Sequence, residues 1–204
     1  MDKAIALLSG GIDSPVAIHL LQDRLGVIAA HFHQLPLTSE HEIEKVKQLG
    51  KLLKLTKIYL IPFTPVLKEL VSACRHQDYY ILSKIMMFKA AAILAAQEKA
   101  SYLITGENLG QVSSQTLSNL TTITKHTPLT ILRPLLTYDK QETITIAKKI
   151  GTYDISKGPE ICCLLGPKHP ATKSDSEKIG KELGKIKVDE LIKIALEKAE
   201  VVEF

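Results

Sequence analysis

The sequence has few of the features that mark secreted or membrane-spanning proteins. It contains only three cysteines, an odd number that does not suggest a disulfide framework. Every apolar run falls short of the ~20 residues that a membrane span requires. The chain also opens on an apolar strand pattern instead of the basic leader of a signal peptide. These absences predict a cytoplasmic protein that does not associate with a membrane.

Arginine is scarce as well, because the 26 basic residues are lysines apart from Arg24, Arg75 and Arg133. The net charge of +4 is compatible with nucleic-acid binding but too small to predict it. Lysines in residues 168–187 could contact phosphates, although acidic residues dilute this stretch. The length of 204 residues, 45% of them hydrophobic, predicts one α/β domain, alone or with a short appendage.

Residues 3–19 are the most informative part of the sequence. Apolar residues 4–8 predict a buried strand, and a helix is expected to begin at Asp13 or Ser14 as its N-cap. Gly10 and Gly11 allow a sharp bend that turns backbone N–H groups inward, and the helix N-terminus adds partial positive charge. We therefore expect residues 9–14, the phosphate loop, to bind a phosphate group. A Mg²⁺ ion between Asp13 and a polyphosphate would explain the carboxylate in this loop.

The phosphate loop differs from two other phosphate-binding motifs. The Gly-Lys-Ser/Thr of the Walker pattern does not follow its glycines, and the third glycine of the dinucleotide fingerprint is absent. Gly-Gly alone would fit an ordinary tight turn between a strand and a helix. The complete unit Ser-Gly-Gly-x-Asp-Ser is much rarer, and it resembles the pyrophosphate loop of the ATP pyrophosphatases. That resemblance implies cleavage of ATP into AMP and pyrophosphate, with adenylation of a substrate oxygen.

The rest of the chain predicts alternating strands and helices. Further strands are predicted at about 27–32, 57–61, 101–105 and 130–132. This alternation predicts a central parallel sheet of five strands with right-handed helical crossovers. We expect residues 1–173 to form this domain and residues 174–204 to add C-terminal helices packed on it. Ligands of such folds bind at the carboxyl ends of the strands.

Candidate ligand-binding residues follow several of these strands. His31 and His33 end the second strand, and no third metal ligand stands nearby, so we favour a nucleotide site over a metal site. Lys84, in a long apolar helix at about 79–97, could be a snorkelling side chain or a phosphate contact. Residues 106–120 could be a solvated loop, but their amides and hydroxyls suit hydrogen bonding to a sugar, base or substrate.

Four segments together resemble one family of ATP pyrophosphatases, the tRNA 4-thiouridine synthases, which are sulfurtransferases also linked to thiamine biosynthesis. The segments are Leu-Leu-Ser-Gly-Gly-Ile-Asp-Ser-Pro-Val-Ala, His-Phe-His with a later Thr-Ser, Thr-Gly-Glu-Asn-Leu-Gly-Gln-Val-Ser-Ser-Gln-Thr-Leu, and Pro-Glu-x-Cys-Cys with a later Pro-Lys-x-Pro-x-Thr-Lys. They lie within residues 7–173. The resemblance implies a three-layer fold like that of the adenine nucleotide alpha hydrolases, the PP-loop fold.

The resemblance also implies a role for individual residues. Asp13 and Cys162 are the expected catalytic residues. Cys162 is expected to take part in sulfur transfer, and Asp13 is also expected to bind Mg²⁺. The residues expected to contact ATP are Leu7, Leu8, Ser9, Gly10, Gly11, Asp13, Ser14, Phe32, His33, Lys84, Gly106 and Gln115. In this interpretation a uridine oxygen of tRNA attacks the α-phosphate of ATP, pyrophosphate leaves into the phosphate loop, and sulfur then displaces AMP to give 4-thiouridine.

The chain departs from the family in its expected domain content. Family members usually carry a ferredoxin-like and THUMP module that binds RNA, and some carry a rhodanese domain, whereas we expect neither module within these 204 residues. We therefore expect a separate RNA-binding subunit or a homodimer to supply the tRNA contacts. Sulfur would come from a donor protein or from sulfide.

Alternatives to this interpretation concern the cysteines and the reaction. Cys162 and Cys163 could be small buried hydrophobic residues, or they could join Cys74 in an iron–sulfur cluster, although no Cys-x-x-Cys spacing supports a cluster. The same loop would also serve an ATP-dependent ligase or amidase that acts on a small molecule. A non-catalytic module that only binds the nucleotide is the third alternative.

Overall fold

A single sheet of six strands forms the centre of the computed structural model, which describes residues 1–158 and 164–204. The strands are β1 (Lys3–Leu7), β2 (Gly26–His33), β3 (Lys57–Pro62), β4 (Tyr102–Ile104), β5 (Thr130–Leu132) and β6 (Glu200–Glu203). Their order across the sheet is β5-β4-β1-β2-β3-β6. Strands β1 to β5 all run parallel to one another, as the sequence predicted. The central strands β1 and β2 are continuous apolar runs because helices cover both faces of the sheet.

Helices form a layer on each face of this sheet. The described helices are α1 (Asp13–His19), α2 (His41–Leu52), α3 (Thr64–Ala73), α4 (Tyr79–Glu98), α5 (Leu117–Thr124), α6 (Lys140–Lys149), α7 (Tyr153–Ser156), α8 (Ser176–Leu183) and α9 (Val188–Glu197). Apolar side chains of α3, α4, α8 and α9 pack in one cluster with one face of the sheet. Those of α1, α2 and α6 pack in a second cluster with the other face. The three-layer α/β architecture predicted from the sequence is confirmed.

The long helix α4 is the centre of the first layer. Ile81, Leu82, Ile85 and Phe88 are almost fully buried against the sheet and the neighbouring helices. Within the described residues, the segment His76–Glu98 is long and apolar enough to cross a membrane, which the sequence patterns did not predict. However, 61% of the apolar 18-residue stretch within this segment is buried inside the fold. A core helix has this property, because the protein itself covers its apolar side chains.

The strand β6 differs from the sequence prediction. Only helices are expected for residues 174–204, whereas α9 ends at Glu197 and the chain then pairs antiparallel with β3. Tyr59 lies opposite Val201 in this pairing. The predicted sheet of five parallel strands is therefore a mixed sheet of six strands in the described structure. The strand is short and ends in glutamates, as edge strands often do.

Candidate active site

The phosphate loop joins β1 to α1 and is closed by its two serines. Ser14 Oγ accepts a hydrogen bond from the Ser9 N–H at 2.9 Å, and the Gly11 N–H donates to Ser9 Oγ at 3.2 Å. The prediction that Asp13 or Ser14 would be the N-cap is wrong. Ile12 occupies that position without a side-chain bond, and Asp13 is the first residue of α1. The Ser14 hydroxyl is instead used within the loop, and the first N–H groups of the helix have no intrahelical acceptor.

Asp13 faces the cleft from the first turn of α1. Gln111 Nε2 donates a hydrogen bond to Asp13 Oδ2 at 3.4 Å. Burial raises the pKa of Asp13, whereas this hydrogen bond and the positive charge of Lys140 act to lower it. The charged form of a partly buried carboxylate is costly unless a cation is near. A cation beside Asp13 would offset this cost.

The residues predicted to contact ATP all line one cleft at the carboxyl edge of the parallel strands. They are Leu7, Leu8, Ser9, Gly10, Gly11, Asp13, Ser14, Phe32, His33, Lys84, Gly106 and Gln115. The cleft has a volume of about 840 Å³, which is within the usual range for small-molecule sites. Residues from distant parts of the sequence meet here because parallel strands end at the same edge of a sheet.

Gly106 packs directly on the start of α1. A Cβ atom at this position would lie 2.7 Å from the Ser14 backbone nitrogen and 2.8 Å from the Asp13 carbonyl carbon. Both are backbone atoms, so they cannot rotate away as a side chain would. The close approach of the two segments therefore requires glycine at position 106.

Substitution of Gly106 by alanine is expected to displace the start of α1. We expect a loss of about 1–3 kcal/mol in the free energy of unfolding, as for other overpacked sites. We also expect nucleotide affinity to fall about tenfold or more, because the phosphate loop loses its geometry. Urea unfolding and calorimetric titration with ATP measure the two effects.

The matched control is Gly180→Ala in α8, where a Cβ atom would meet no other atom within 4 Å. Alanine there is expected to leave nucleotide affinity unchanged and to stabilise the helix by about 1 kcal/mol. Wild-type stability and affinity in Gly106→Ala would contradict the packing argument.

Burial favours the neutral form of both histidines at the end of β2. His31 Nδ1 lies 2.9 Å from the Leu8 carbonyl oxygen, which only accepts, so Nδ1 carries the proton. Burial lowers the pKa of His31 to about 4, and it also lowers the pKa of His33. His31 thereby fastens the end of β1, where the phosphate loop begins, to β2. Within residues 1–158 and 164–204, no group of three or more His, Cys, Asp or Glu residues could hold a metal ion.

Acidification is expected to destabilise the fold through His31. The side chain titrates near 6.5 in the unfolded chain and at about 4 in the folded protein, so protons bind preferentially to the unfolded chain between these values. The stabilisation is fully present above pH ~6.5 and is lost as the pH falls to ~4, by about 3 kcal/mol in total. Urea unfolding across this pH range measures the slope.

The variant His31→Gln isolates this contribution, because an amide can still donate to the Leu8 carbonyl but does not titrate. We expect a flatter pH profile in His31→Gln and an unchanged one in the control His41→Gln, since His41 is exposed. Equal slopes in the wild type and His31→Gln would rule out His31 as the cause.

Glu107 is a site residue that the sequence patterns did not single out. It is only 2% exposed, and its Oε2 accepts hydrogen bonds from Arg133 Nε at 2.7 Å and Thr105 Oγ1 at 3.0 Å. Its Oε1 lies 3.8 Å from Lys84 Nζ. Lys84 is therefore part of a buried charge network and still presents 27% of its side chain to solvent at the cleft. The sequence offered one signal for Glu107, which is its position next to Gly106 just after a predicted strand.

The segment after β4 is held in place by its own polar side chains. Gln115 Oε1 accepts a hydrogen bond from the Asn108 N–H at 3.3 Å, and the Gln115 carbonyl accepts one from the Gly110 N–H at 2.8 Å. Asn119, which is fully buried, donates through Nδ2 to the Ala171 carbonyl at 2.9 Å. This wall of the cleft is thus tied to the chain that follows residue 164.

The cysteine predictions have different outcomes. Cys162 and Cys163 lie outside the described residues. Cys74 is buried at the end of α3, where its thiol donates to the Glu182 carbonyl at 3.4 Å and burial raises its pKa.

Both flanks of the undescribed residues contact the site. Ser156 Oγ donates to the Gly11 carbonyl of the phosphate loop at 3.3 Å. Pro167 and Lys168 line the cleft on the other side of the gap.

Comparisons with known proteins find relatives in both sequence and structure. The probable tRNA sulfurtransferase of Moorella thermoacetica is 42% identical over 206 residues, covering 98% of this chain and 53% of that protein. The crystal structure of a 4-thiouridine synthetase–RNA complex with bound ATP has a TM-score of 0.92 at 34% identity, over 98% of this chain and 55% of that chain. The NMN synthetase of Francisella tularensis shares the fold alone, with a TM-score of 0.62 at 17% identity over 97% of this chain and 84% of that one.

The chain spans about half the length of the curated relatives that it matches. The family described as thiamine biosynthesis protein (ThiI) matches residues 1–188, nearly the whole chain. The chain therefore belongs to the thiamine biosynthesis protein (ThiI) family.

Proposed function

We propose that this chain is the ATP-dependent catalytic unit of a tRNA sulfurtransferase that forms 4-thiouridine. The observation that carries the proposal is the cleft that joins the phosphate loop to all the predicted ATP-contacting residues. The substrate class comes from the relatives, a probable tRNA sulfurtransferase and a 4-thiouridine synthetase seen with RNA and ATP. Within this unit, residues 1–173 form the catalytic domain and residues 174–204 pack on it.

The cleft suits the first half of the reaction, the activation of an oxygen. A uridine carbonyl oxygen attacks the α-phosphorus of ATP, and the bond from the α-phosphorus to the bridging oxygen breaks. Pyrophosphate leaves toward the phosphate loop, whose N–H groups and helix N-terminus stabilise its charge. Lys84, Lys140 and Lys168 also line the cleft and favour an anionic leaving group. AMP bound to the base is then the leaving group for sulfur.

The second half of the reaction needs a sulfur nucleophile, which we assign to Cys162. When a donor protein supplies a persulfide, its outer sulfur attacks C4 of the adenylated uridine and displaces AMP, which leaves a disulfide between that sulfur and the carrier cysteine. A second thiol then attacks the sulfur of the carrier cysteine, so that 4-thiouridine leaves and a disulfide forms between the two thiols; Cys162 is either the carrier or this second thiol. When sulfide is the donor, it displaces AMP directly.

The support for Cys162 is its place in the sequence, six residues after Ser156 and five before Pro167, both of which contact the site. The iron–sulfur alternative gains nothing from Cys74, because that thiol contacts α8.

Mg²⁺ fits this site only together with the nucleotide. Asp13 provides one carboxylate at the phosphate loop, and Mg²⁺ is commonly held by one or two carboxylates with the phosphates of the substrate. Burial raises the pKa of Asp13, so a nearby cation would stabilise its charged form. Bound Mg²⁺ would supply charge neutralisation of the phosphates.

The partners complete the proposal. A separate RNA-binding subunit or a second copy of the chain would add tRNA contacts, and a donor protein or sulfide would supply sulfur. We place the protein in the cytoplasm, where a tRNA-modifying enzyme would meet its substrate.

An exchange experiment separates this function from its alternatives. Exchange of labelled pyrophosphate into ATP and release of AMP are measured with and without unmodified tRNA. We expect AMP release only with tRNA, and 4-thiouridine by mass spectrometry when sulfide is added. Pyrophosphate exchange that requires a small molecule and does not change when tRNA is added would indicate a ligase or amidase. The fold is compatible with this alternative, because the NMN synthetase of Francisella tularensis has the same fold. Tight ATP binding without any release of pyrophosphate would indicate a non-catalytic module.

A further inference from the structure

An ion pair between a buried lysine and a partly buried glutamate lies against the phosphate loop. Lys45 of α2 is only 5% exposed, and its Nζ lies 3.7 Å from Glu42 Oε1 one turn earlier in the same helix. Glu42 lines the cleft. At that distance the two groups interact by charge and not by a hydrogen bond.

The pair fills the space beside Gly10 of the phosphate loop. A Cβ atom at Gly10 would lie 2.7 Å from Glu42 Oε2, 2.8 Å from Lys45 Cδ and 3.6 Å from Lys45 Nζ. The negative carboxylate of Glu42 and the positive ammonium group of Lys45 therefore both lie close to Gly10 of the loop. The loop itself contains no Lys or Arg, and its one charged residue is Asp13. Lys45 is thus a buried positive charge beside a loop that has no cation of its own.

We propose that Lys45 and Glu42 set the affinity of the phosphate loop for its anion in opposite directions. Lys45 stabilises a bound pyrophosphate group, and Glu42 weakens binding by partly neutralising Lys45 and by repelling the anion. Because the side chains of Lys45 and Glu42 are only 5% and 17% exposed, their fields are screened less than those of fully exposed surface charges. The inference rests on the proposed function, since the anion is the pyrophosphate portion of ATP.

Calorimetric titration of the full chain with inorganic pyrophosphate tests this charge balance. Lys45→Met is expected to weaken binding about tenfold, because it removes a weakly screened positive charge beside the loop. Glu42→Gln is expected to tighten binding about fivefold for the opposite reason. The double variant keeps the net charge of the wild type, so its affinity should return to within about threefold of the wild-type value.

The matched control is the pair Glu44 and Lys47, which has the same spacing on the same helix. Its groups are 3.2 Å apart, but their side chains are 60% and 31% exposed. Glu44→Gln and Lys47→Met should leave pyrophosphate affinity unchanged. Thermal unfolding of every variant shows whether it is folded, and Glu42→Gln alone tests the sign if Lys45→Met does not fold.

The outcomes separate this inference from the proposed function. If the wild type binds pyrophosphate and both single variants weaken it, or neither changes it, the pair is structural and the inference is overturned. Failure of the double variant to recover would overturn it as well. If the wild type binds neither pyrophosphate nor ATP, the proposed function fails and the inference falls with it.

Discussion

Asp13→Ala is expected to reduce the conversion of ATP to AMP by about 10²- to 10³-fold, the usual cost of removing one electrostatic contact to a transition state. The carboxylate lies at the first turn of α1, inside the phosphate loop that would receive the leaving group. Burial raises the pKa of this carboxylate, and a cation bound with ATP would offset the cost of its charged form. The loss should therefore appear in kcat as well as in the affinity for ATP.

The same substitution should leave the fold intact. The hydrogen bond that the Asp13 carboxylate accepts from Gln111 is long, 3.4 Å, and burial opposes the charged form of Asp13. We expect a change in the free energy of unfolding of no more than about 1 kcal/mol.

Pyrophosphate release with tRNA present measures the catalytic effect, and urea unfolding measures the structural one. Asp154→Ala is the control, because that carboxylate is 79% exposed and pairs with Lys157. Normal turnover in Asp13→Ala would show that residues 9–14 do not have the assigned role.

The core of the fold could be predicted because its determinants are local. Apolar runs such as residues 4–8 and 57–61 specify buried strands by themselves, and the helices between them dictate parallel pairing. The sixth strand has no such signal. Its sequence Glu-Val-Val-Glu becomes a strand only because the edge of β3 is available beside it, which is a property of the assembled fold.

The cleft shows the same division between local and long-range information. Residues at the ends of parallel strands could be grouped from the sequence alone, since those ends share one edge of the sheet. The position of Glu107 near a strand end could be read in this way, but its charge network could not, because its partners Lys84 and Arg133 are 23 and 26 residues away along the chain. Its role depends on three elements meeting in space. The start of α1 was predicted wrongly for a similar reason, since the Ser14 hydroxyl has a competing partner in Ser9.

Cys162→Ser is expected to abolish formation of 4-thiouridine, at least about a thousandfold, while pyrophosphate–ATP exchange stays within about twofold of the wild type. The physical reason is that the two half-reactions use different groups. Adenylation depends on the phosphate loop and the cleft, whereas displacement of AMP depends on a sulfur nucleophile, which a hydroxyl cannot replace. Nucleoside mass spectrometry after incubation with tRNA, ATP and a persulfide donor measures the product.

The other two cysteines make this prediction specific. Cys74→Ala should retain thiolation, because the Cys74 thiol contacts the Glu182 carbonyl of α8 and burial raises its pKa, so it is a poor thiolate. Thiolation by the variant Cys163→Ser shows whether the neighbouring thiol is needed in addition to Cys162. Full thiolation by Cys162→Ser would remove this residue from the mechanism. Equal loss in all three variants, with iron and sulfide in the purified wild type, would instead favour a cluster, because three ligands of one cluster fail together.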